Sequence, residues 1–226
     1  TVTGSRSRNT PMAGTSESER IWIVFALTVA KSTGSLKRSS IGRLIGQTAP
    51  SRSDDSSSWK AVVPGCSPPL PPEQLSHRVW HELLGTHVRD GVVDYPAIRR
   101  QGQLPSYVAL LNRVDPGRLS AGDRLAFWIN AYNAFAVTGI LDGYSPETLF
   151  GRYRYFIARE YSIGGQPVNL YNLEREILIA QFHEPRVHFA IVCASTSCPK
   201  LQSWAFEGQQ LDEQLNQVTS EFVNDP

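Results

Sequence analysis

Residues 188–199 gather side chains that could do chemistry: one imidazole, two thiols and three hydroxyls within twelve residues. They belong to His188, Cys193, Cys198, Ser195, Thr196 and Ser197. The apolar run 187–193 predicts a strand, and the small residues that follow it predict a loop closed by Pro199. Reactive groups are often found where a rigid element ends in a loop, because the element aims the group that the loop carries.

The two thiols are compatible with three roles. A nearby histidine usually favours the thiolate of a cysteine nucleophile, and Cys198 in the loop is the accessible candidate, with His188 as its base. Cys193 ends the apolar run, where a regular strand would turn its side chain away from His188. Alternatively, a Cys193–Cys198 disulfide pins the loop, which requires an oxidising compartment, or both thiols are packing residues. Two cysteines at this spacing match few zinc sites, so we expect no metal ion and no other cofactor.

A long helix predicted over residues 121–141 carries two amides that need partners. Its apolar residues point in every direction around the axis, which is typical of a buried helix. Asn130 and Asn133 are three positions apart and share a face of that helix. Because a buried amide without partners costs about 1–3 kcal/mol, the pair either forms the polar wall of a site or belongs to a hydrogen-bond network that braces the helix.

These observations combine into one candidate site. Its catalytic members, as nucleophile, base and two orienting groups, would be Cys198, His188, Asn130 and Glu174. The side chains that would bind a ligand are those of Tyr132, Asn133, Ser195 and Ser197. If the amides and Glu174 only brace the fold, the same motifs would instead build a groove for a peptide or another protein.

Composition limits the partners. Twenty-two Lys and Arg residues against 21 Asp and Glu residues give a formal net charge of +1. Nucleic-acid binding needs a clustered basic surface, so we expect no nucleic-acid partner. The longest apolar stretch near the N-terminus, residues 21–30, is too short to span a bilayer as a helix. We therefore expect no stable membrane span.

The first 72 residues differ from the rest of the chain. They are rich in Ser, Arg and Pro, and such a segment buries too little apolar surface to offset its chain entropy, which predicts disorder over 1–72. Residues 21–30 are either the core of a secretory signal peptide or a stray apolar patch. The protein would be exported, to the periplasm or outside the cell, in the first case and cytoplasmic in the second.

The pattern from residue 73 to residue 226 predicts one globular domain. Ser120 can cap the long helix, with Asp123 completing an approximate capping box, and Gly164–Gly165 marks the turn of a β-hairpin. Apolar residues recur at helical spacing in four further segments, residues 75–84, 107–114, 173–182 and 211–222. We therefore expect an α+β fold: a mainly helical domain around a small, mostly antiparallel sheet, with a buried central helix.

Several motifs resemble those of a known family. They are Arg-Asp-Gly-Val-Val-Asp-Tyr at 89–95, Ala-Phe-Trp-Ile-Asn-Ala-Tyr-Asn-Ala at 126–134, Gly164–Gly165, Leu173–Glu174, and residues 188–199 with Leu201. Over roughly residues 75–226 the chain resembles a bacterial-type member of the family catalogued as domain of unknown function 547, or DUF547. Members usually continue past a Phe-x-Asn position like Phe222–Asn224, so the resemblance implies a domain truncated at its C-terminus. It brings no established catalytic residues.

Two functions follow from these residues. A cysteine-dependent hydrolase or acyl-transferase-like enzyme requires Cys198 and His188 to share one solvent-reachable pocket. A non-catalytic domain that binds a peptide or another protein requires a closed hydrogen-bond network around Asn130 and Asn133 and no reachable thiol.

Overall fold

The computed structural model describes residues 69–193 and 198–224. All of them lie in one compact unit, Asp55–Pro226. The predictions for residues 1–68, for Ser195 and for Ser197 lie outside the described residues. Leu70 is already buried and its N–H donates to the carbonyl of Arg113 at 2.7 Å, so packed structure begins ahead of residue 73.

Helices dominate the described residues. The first four are α1 (Arg78–His87), α2 (Tyr95–Gln101), α3 (Leu104–Leu111) and α4 (Ala121–Leu141). The next is α5 (Leu149–Arg152), which continues as the π-helical segment Tyr153–Ala158. Then come α6 (Leu170–Asn172), the π-helical segment Leu173–Ile179 and α7 (Ala180–Phe182), and finally α8 (Leu211–Val223). Short 3-10 helices cover Pro72–Gln74, Pro116–Arg118 and Pro185–Phe189.

The strands form two antiparallel hairpins. One joins β1 (Val88–Arg89) to β2 (Val92–Val93), and the other joins β3 (Tyr161–Ile163) to β4 (Gln166–Val168). The second turns at Gly164–Gly165, as predicted, with a positive φ at both glycines. The mainly helical α+β fold is confirmed, with its small antiparallel sheet divided between these two hairpins.

The predicted strand over 187–193 is wrong. Pro185–Phe189 forms a 3-10 helix, and residues 191–193 follow without regular structure. Pro185 fixes its own φ for a helical turn, and the side chain of Glu184 caps that turn by accepting a hydrogen bond from the N–H of Arg186 at 3.1 Å. Val187, Ile191 and Val192 are buried, so the apolar run reports burial rather than a strand.

Helix α4 is the centre of the domain and has the predicted bounds. At its start the Ser120 hydroxyl oxygen accepts a hydrogen bond from the N–H of Asp123 at 3.2 Å, and the hydroxyl donates to the Asp123 carboxylate at 2.6 Å. Buried residues run without interruption from Leu125 to Val137, which covers every side of the helix. The prediction of a capped and buried central helix is confirmed.

Two tyrosines fasten the second half of α4 to its neighbours. The Tyr161 hydroxyl of β3 donates to the carbonyl of Phe135, and the Tyr155 hydroxyl donates to the carbonyl of Ala136, each at 2.8 Å. The rings of Phe135 and Tyr161 also stack, with 4.3 Å between their centroids. Both tyrosines approach α4 at Gly139, where the absence of a side chain makes room for them.

Replacing Gly139 with alanine should lower the free energy of unfolding by about 1–3 kcal/mol. The added methyl would lie 2.8 Å from Cε2 of Tyr155 and 2.9 Å from the hydroxyl of Tyr161. Gly85→Ala in α1 is the matched control: the nearest atom, the carbonyl oxygen of Ser203, lies at 3.5 Å, so helix propensity should stabilise this variant by about 0.5–1 kcal/mol. Urea unfolding followed by circular dichroism measures both changes. A Gly139→Ala variant as stable as Gly85→Ala would contradict the close packing on α4.

Candidate functional site

A cleft of about 720 Å³ opens beside the second half of α4. Its floor is apolar and includes Ala136, Val137 and Ile140 of that helix. The walls are the tip of the β1–β2 hairpin at 90–93, the loop at 143–147, and residues 198–201. Volume and lining are those of an ordinary ligand site, in which an apolar surface carries a few polar groups.

The two cysteines of residues 188–199 are joined to each other. Cys193 and Cys198 form a disulfide, with their Cα atoms 6.0 Å apart, a usual spacing for this bond. Of the three roles that the sequence left open, the disulfide is the one present. Cys198 is half-buried and lines the cleft. In this oxidised form its sulfur is not the thiolate that a nucleophile needs.

His188 lies elsewhere. It belongs to the 3-10 helix Pro185–Phe189, its side chain is exposed, and it is not among the described residues that line the cleft. The structure therefore places Cys198 at the cleft without the histidine that was expected beside it.

The two amides of α4 hold backbone from other parts of the chain. The Asn130 amide donates to the carbonyl of Phe206 at 2.8 Å and accepts from its N–H at 2.9 Å. The Asn133 amide donates to the carbonyl of Ala190 at 2.9 Å and accepts from the N–H of Val192 at 3.0 Å. Both side chains are buried, at 0% and 2% exposure, and these bonds occupy both ends of each amide. They form the closed network that the second function requires.

Glu174 and Tyr132 form a buried pair away from the cleft. Glu174 lies in the π-helical segment Leu173–Ile179 and is buried. Burial raises the pKa of Glu174, against the opposing effects of Arg175 and of Tyr132. Burial also raises the pKa of Tyr132 well above its ordinary value, with a further contribution from the Glu174 charge. Neither residue lines the cleft, so the pair connects α4 to the π-helical segment.

An ion pair on the cleft rim was not predicted from sequence. Lys200 Nζ lies 3.1 Å from a carboxylate oxygen of Asp90 at the hairpin tip. Next to it, Gly91 has a φ of +77°, and a Cβ built there would lie 2.8 Å from Cβ and Cγ of Lys200. Glycine is therefore required both by the turn and by the close approach of Lys200. The motif at 89–95 contains Asp90 and Gly91, but Lys200 lies 110 positions from Asp90. The contact could therefore not be predicted from local spacing.

Three tyrosines along the cleft were also missed. Tyr95, Tyr144 and Tyr155 line it. Tyr155 is fully buried and bonded to α4, whereas the ring of Tyr144 lies 5.0 Å and 5.5 Å from the guanidinium carbons of Arg154 and Arg159. Burial raises the pKa of Tyr95. Burial also raises the pKa of Tyr155 well above its ordinary value, so the Tyr95 and Tyr155 hydroxyls are uncharged at neutral pH. No local spacing in the sequence marked the three tyrosines as neighbours.

One family model matches the second half of the chain. Residues 116–223 match the model described as "Protein of unknown function, DUF547". Over these residues the chain is similar to the DUF547 family. The match contains α4, the disulfide and the two amide clamps, by which we mean the hydrogen bonds of Asn130 and of Asn133 to backbone groups. The β1–β2 wall of the cleft precedes the match. No curated protein and no solved structure matches the chain.

Within residues 69–193 and 198–224, no three His, Cys, Asp or Glu side chains are grouped so that they could hold a metal ion. In the same ranges, no helix combines the length and the apolar character needed to cross a membrane.

Replacing Asn133 with leucine should lower the free energy of unfolding by about 2–4 kcal/mol, because it leaves the carbonyl of Ala190 and the N–H of Val192 without their partner. Hydrogen exchange should accelerate more at the Val192 amide, which loses its partner, than at the Phe206 amide, which responds only to the loss of global stability. Asn130→Leu is the matched control and should show the converse pattern. Equal acceleration at both amides in either variant would contradict two independent clamps.

Proposed function

We propose that this domain is a non-catalytic peptide-binding domain whose ligand lies in the cleft beside α4. The observation that carries the proposal is the cleft itself, with an apolar floor, three tyrosines and an ion pair on its rim. A peptide presents apolar side chains and backbone polar groups together, and this lining complements both.

The groups first considered as catalytic have other partners. Cys198 is bonded to Cys193, Asn130 is hydrogen-bonded to the backbone of Phe206, and Glu174 is buried outside the cleft. A catalytic group must reach the reacting atoms of a substrate. These arrangements support a binding domain over a cysteine hydrolase.

The rigidity of the cleft also supports binding. Val192 lines it and is held by Asn133, and Cys198, on the wall, is held by the disulfide. A surface that is already ordered loses less conformational entropy when it binds a ligand. Tyrosines add a large contact area with few rotatable bonds.

We further propose that the protein is exported. Disulfides persist in oxidising compartments and are rare in the reducing cytosol, so the Cys193–Cys198 bond supports the first of the two locations considered for this chain. The same bond distinguishes the two functions considered, because the cysteine enzyme needs Cys198 as a free thiol.

Free thiols are alkylated at lysis. Cys193 and Cys198 should remain unlabelled at this step, and both should be labelled once the protein has been reduced. Peptide mass spectrometry identifies the labelled positions. Rapid labelling of Cys198 before reduction, slowed by His188→Ala, would instead favour the cysteine enzyme and a reducing location.

Filling the cleft should weaken peptide binding. Peptides are first selected on the full chain from a random phage-displayed library. Their affinity for the Ile140→Trp variant, measured by fluorescence anisotropy, should be lower by at least about tenfold, or 1.4 kcal/mol. The matched control is Val223→Trp, which places the same ring on an exposed position of α8 outside the cleft and should bind normally. Circular dichroism checks that both variants fold. If selection yields no peptide, or if both variants bind equally well, the cleft is not a peptide site.

A further inference from the structure

The β1–β2 hairpin has an unpaired backbone edge at the cleft. Val88 is paired with Val93 and Arg89 with Val92, and the N–H of Asp94 donates to the carbonyl of His87 at 2.9 Å. Hydrogen-bonded and non-hydrogen-bonded pairs alternate along an antiparallel ladder. The Val88–Val93 pair is therefore of the second kind, and the N–H and C=O of Val93 point away from β1.

Nothing in the described part of the chain takes up these groups. Over residues 69–193 and 198–224, β2 has β1 as its strand neighbour, and no hydrogen bond involves the backbone of Val93. Both Val92 and Val93 line the cleft, and Val92 is 73% exposed. An exposed strand edge of this kind is a template for a further strand.

We propose that the ligand is an extended peptide that binds as a third strand on the outer edge of β2, with its backbone hydrogen-bonded to Val93. This rests on the proposed function and specifies its binding mode. Strand addition takes affinity from backbone bonds and selectivity from side chains. Because side chains alternate along a strand, every second residue of the peptide turns toward the apolar floor formed by Val137 and Ile140.

Charge on the cleft selects a peptide with a basic residue. The charged residues among its described lining are Asp90, Lys200 and Glu147. Asp90 and Lys200 neutralise each other at 3.1 Å, whereas Glu147 is exposed and takes part in none of the ion pairs of the described residues. The lining therefore has an uncompensated negative charge, which complements a lysine or arginine.

The test uses a peptide recovered by the phage selection and the full chain labelled with ¹⁵N. At saturation, hydrogen exchange of the Val93 amide should slow by about tenfold or more, as expected for a newly formed hydrogen bond. The Val92 amide, already bonded within the hairpin, is the internal control and should change little. N-methylation of the peptide at single backbone positions should weaken binding by about tenfold at the one position whose N–H donates to the Val93 carbonyl and leave the others unaffected.

Charge selection is measured in a cycle of two changes. Glu147→Gln should lower the affinity for the basic peptide by about threefold to tenfold. It should leave unchanged the affinity for a peptide whose basic residue is replaced by norleucine. Equal effects on both peptides would overturn the charge assignment.

The outcomes also separate this inference from the function on which it rests. Binding that Ile140→Trp blocks, with Val93 exchange unchanged, would overturn strand addition and leave a peptide-binding cleft. The absence of any peptide binding would overturn both.

Discussion

The domain depends on two side-chain amides that form hydrogen bonds with backbone groups, as a neighbouring strand would. Asn130 pairs with both backbone groups of Phe206, and Asn133 pairs with Ala190 and Val192. Buried backbone N–H and C=O groups must find partners, and irregular segments ordinarily cannot be buried for that reason. A side-chain amide offers an NH₂ donor and a carbonyl acceptor side by side, so each asparagine lets an irregular segment pack against a helix that is otherwise apolar.

This constraint fixes the cleft. Asn133 holds Val192, the disulfide begins at the next residue, and it ends at Cys198, where the cleft wall of residues 198–201 starts. Two residues later, Lys200 reaches Asp90 at the hairpin tip. A continuous series of hydrogen bond, covalent bond and ion pair thus runs from the central helix to the hairpin. The burial of Asn133 is explained by this bracing, and that of Asn130 by its bonds to Phe206.

Local signals in the sequence were sufficient for much of the fold. The bounds of α4 followed from apolar periodicity and the Ser120 cap, and the second hairpin followed from Gly164–Gly165, because each of these signals acts within a few residues. The strand at 187–193 failed because an apolar run reports burial, and burial here comes from packing against α4 rather than from a partner strand.

The site was predicted only in part, for a related reason. Burial of Asn130 and Asn133 could be inferred from their helix, but the backbone groups that satisfy them lie 57 to 76 positions away, so the choice between site and brace stayed open. Cys198 was correctly singled out as a loop residue, yet the cleft beside it is completed by Asp90 and the tyrosines, which only tertiary contacts bring there.

The hairpin edge and the amide clamps divide the proposed binding from stability. Natural proteins usually protect a strand edge by covering it, twisting it or placing charges on it, because an open edge invites association. Here, within residues 69–193 and 198–224, the backbone of Val93 has no partner on the outer edge of β2, and Val92 beside it is exposed. The amide clamps and the disulfide make the surrounding wall rigid without occupying that edge. A two-residue strand pairs too little backbone to select a partner alone, so in the binding mode that we propose selectivity comes from the cleft floor and from Glu147 beside it.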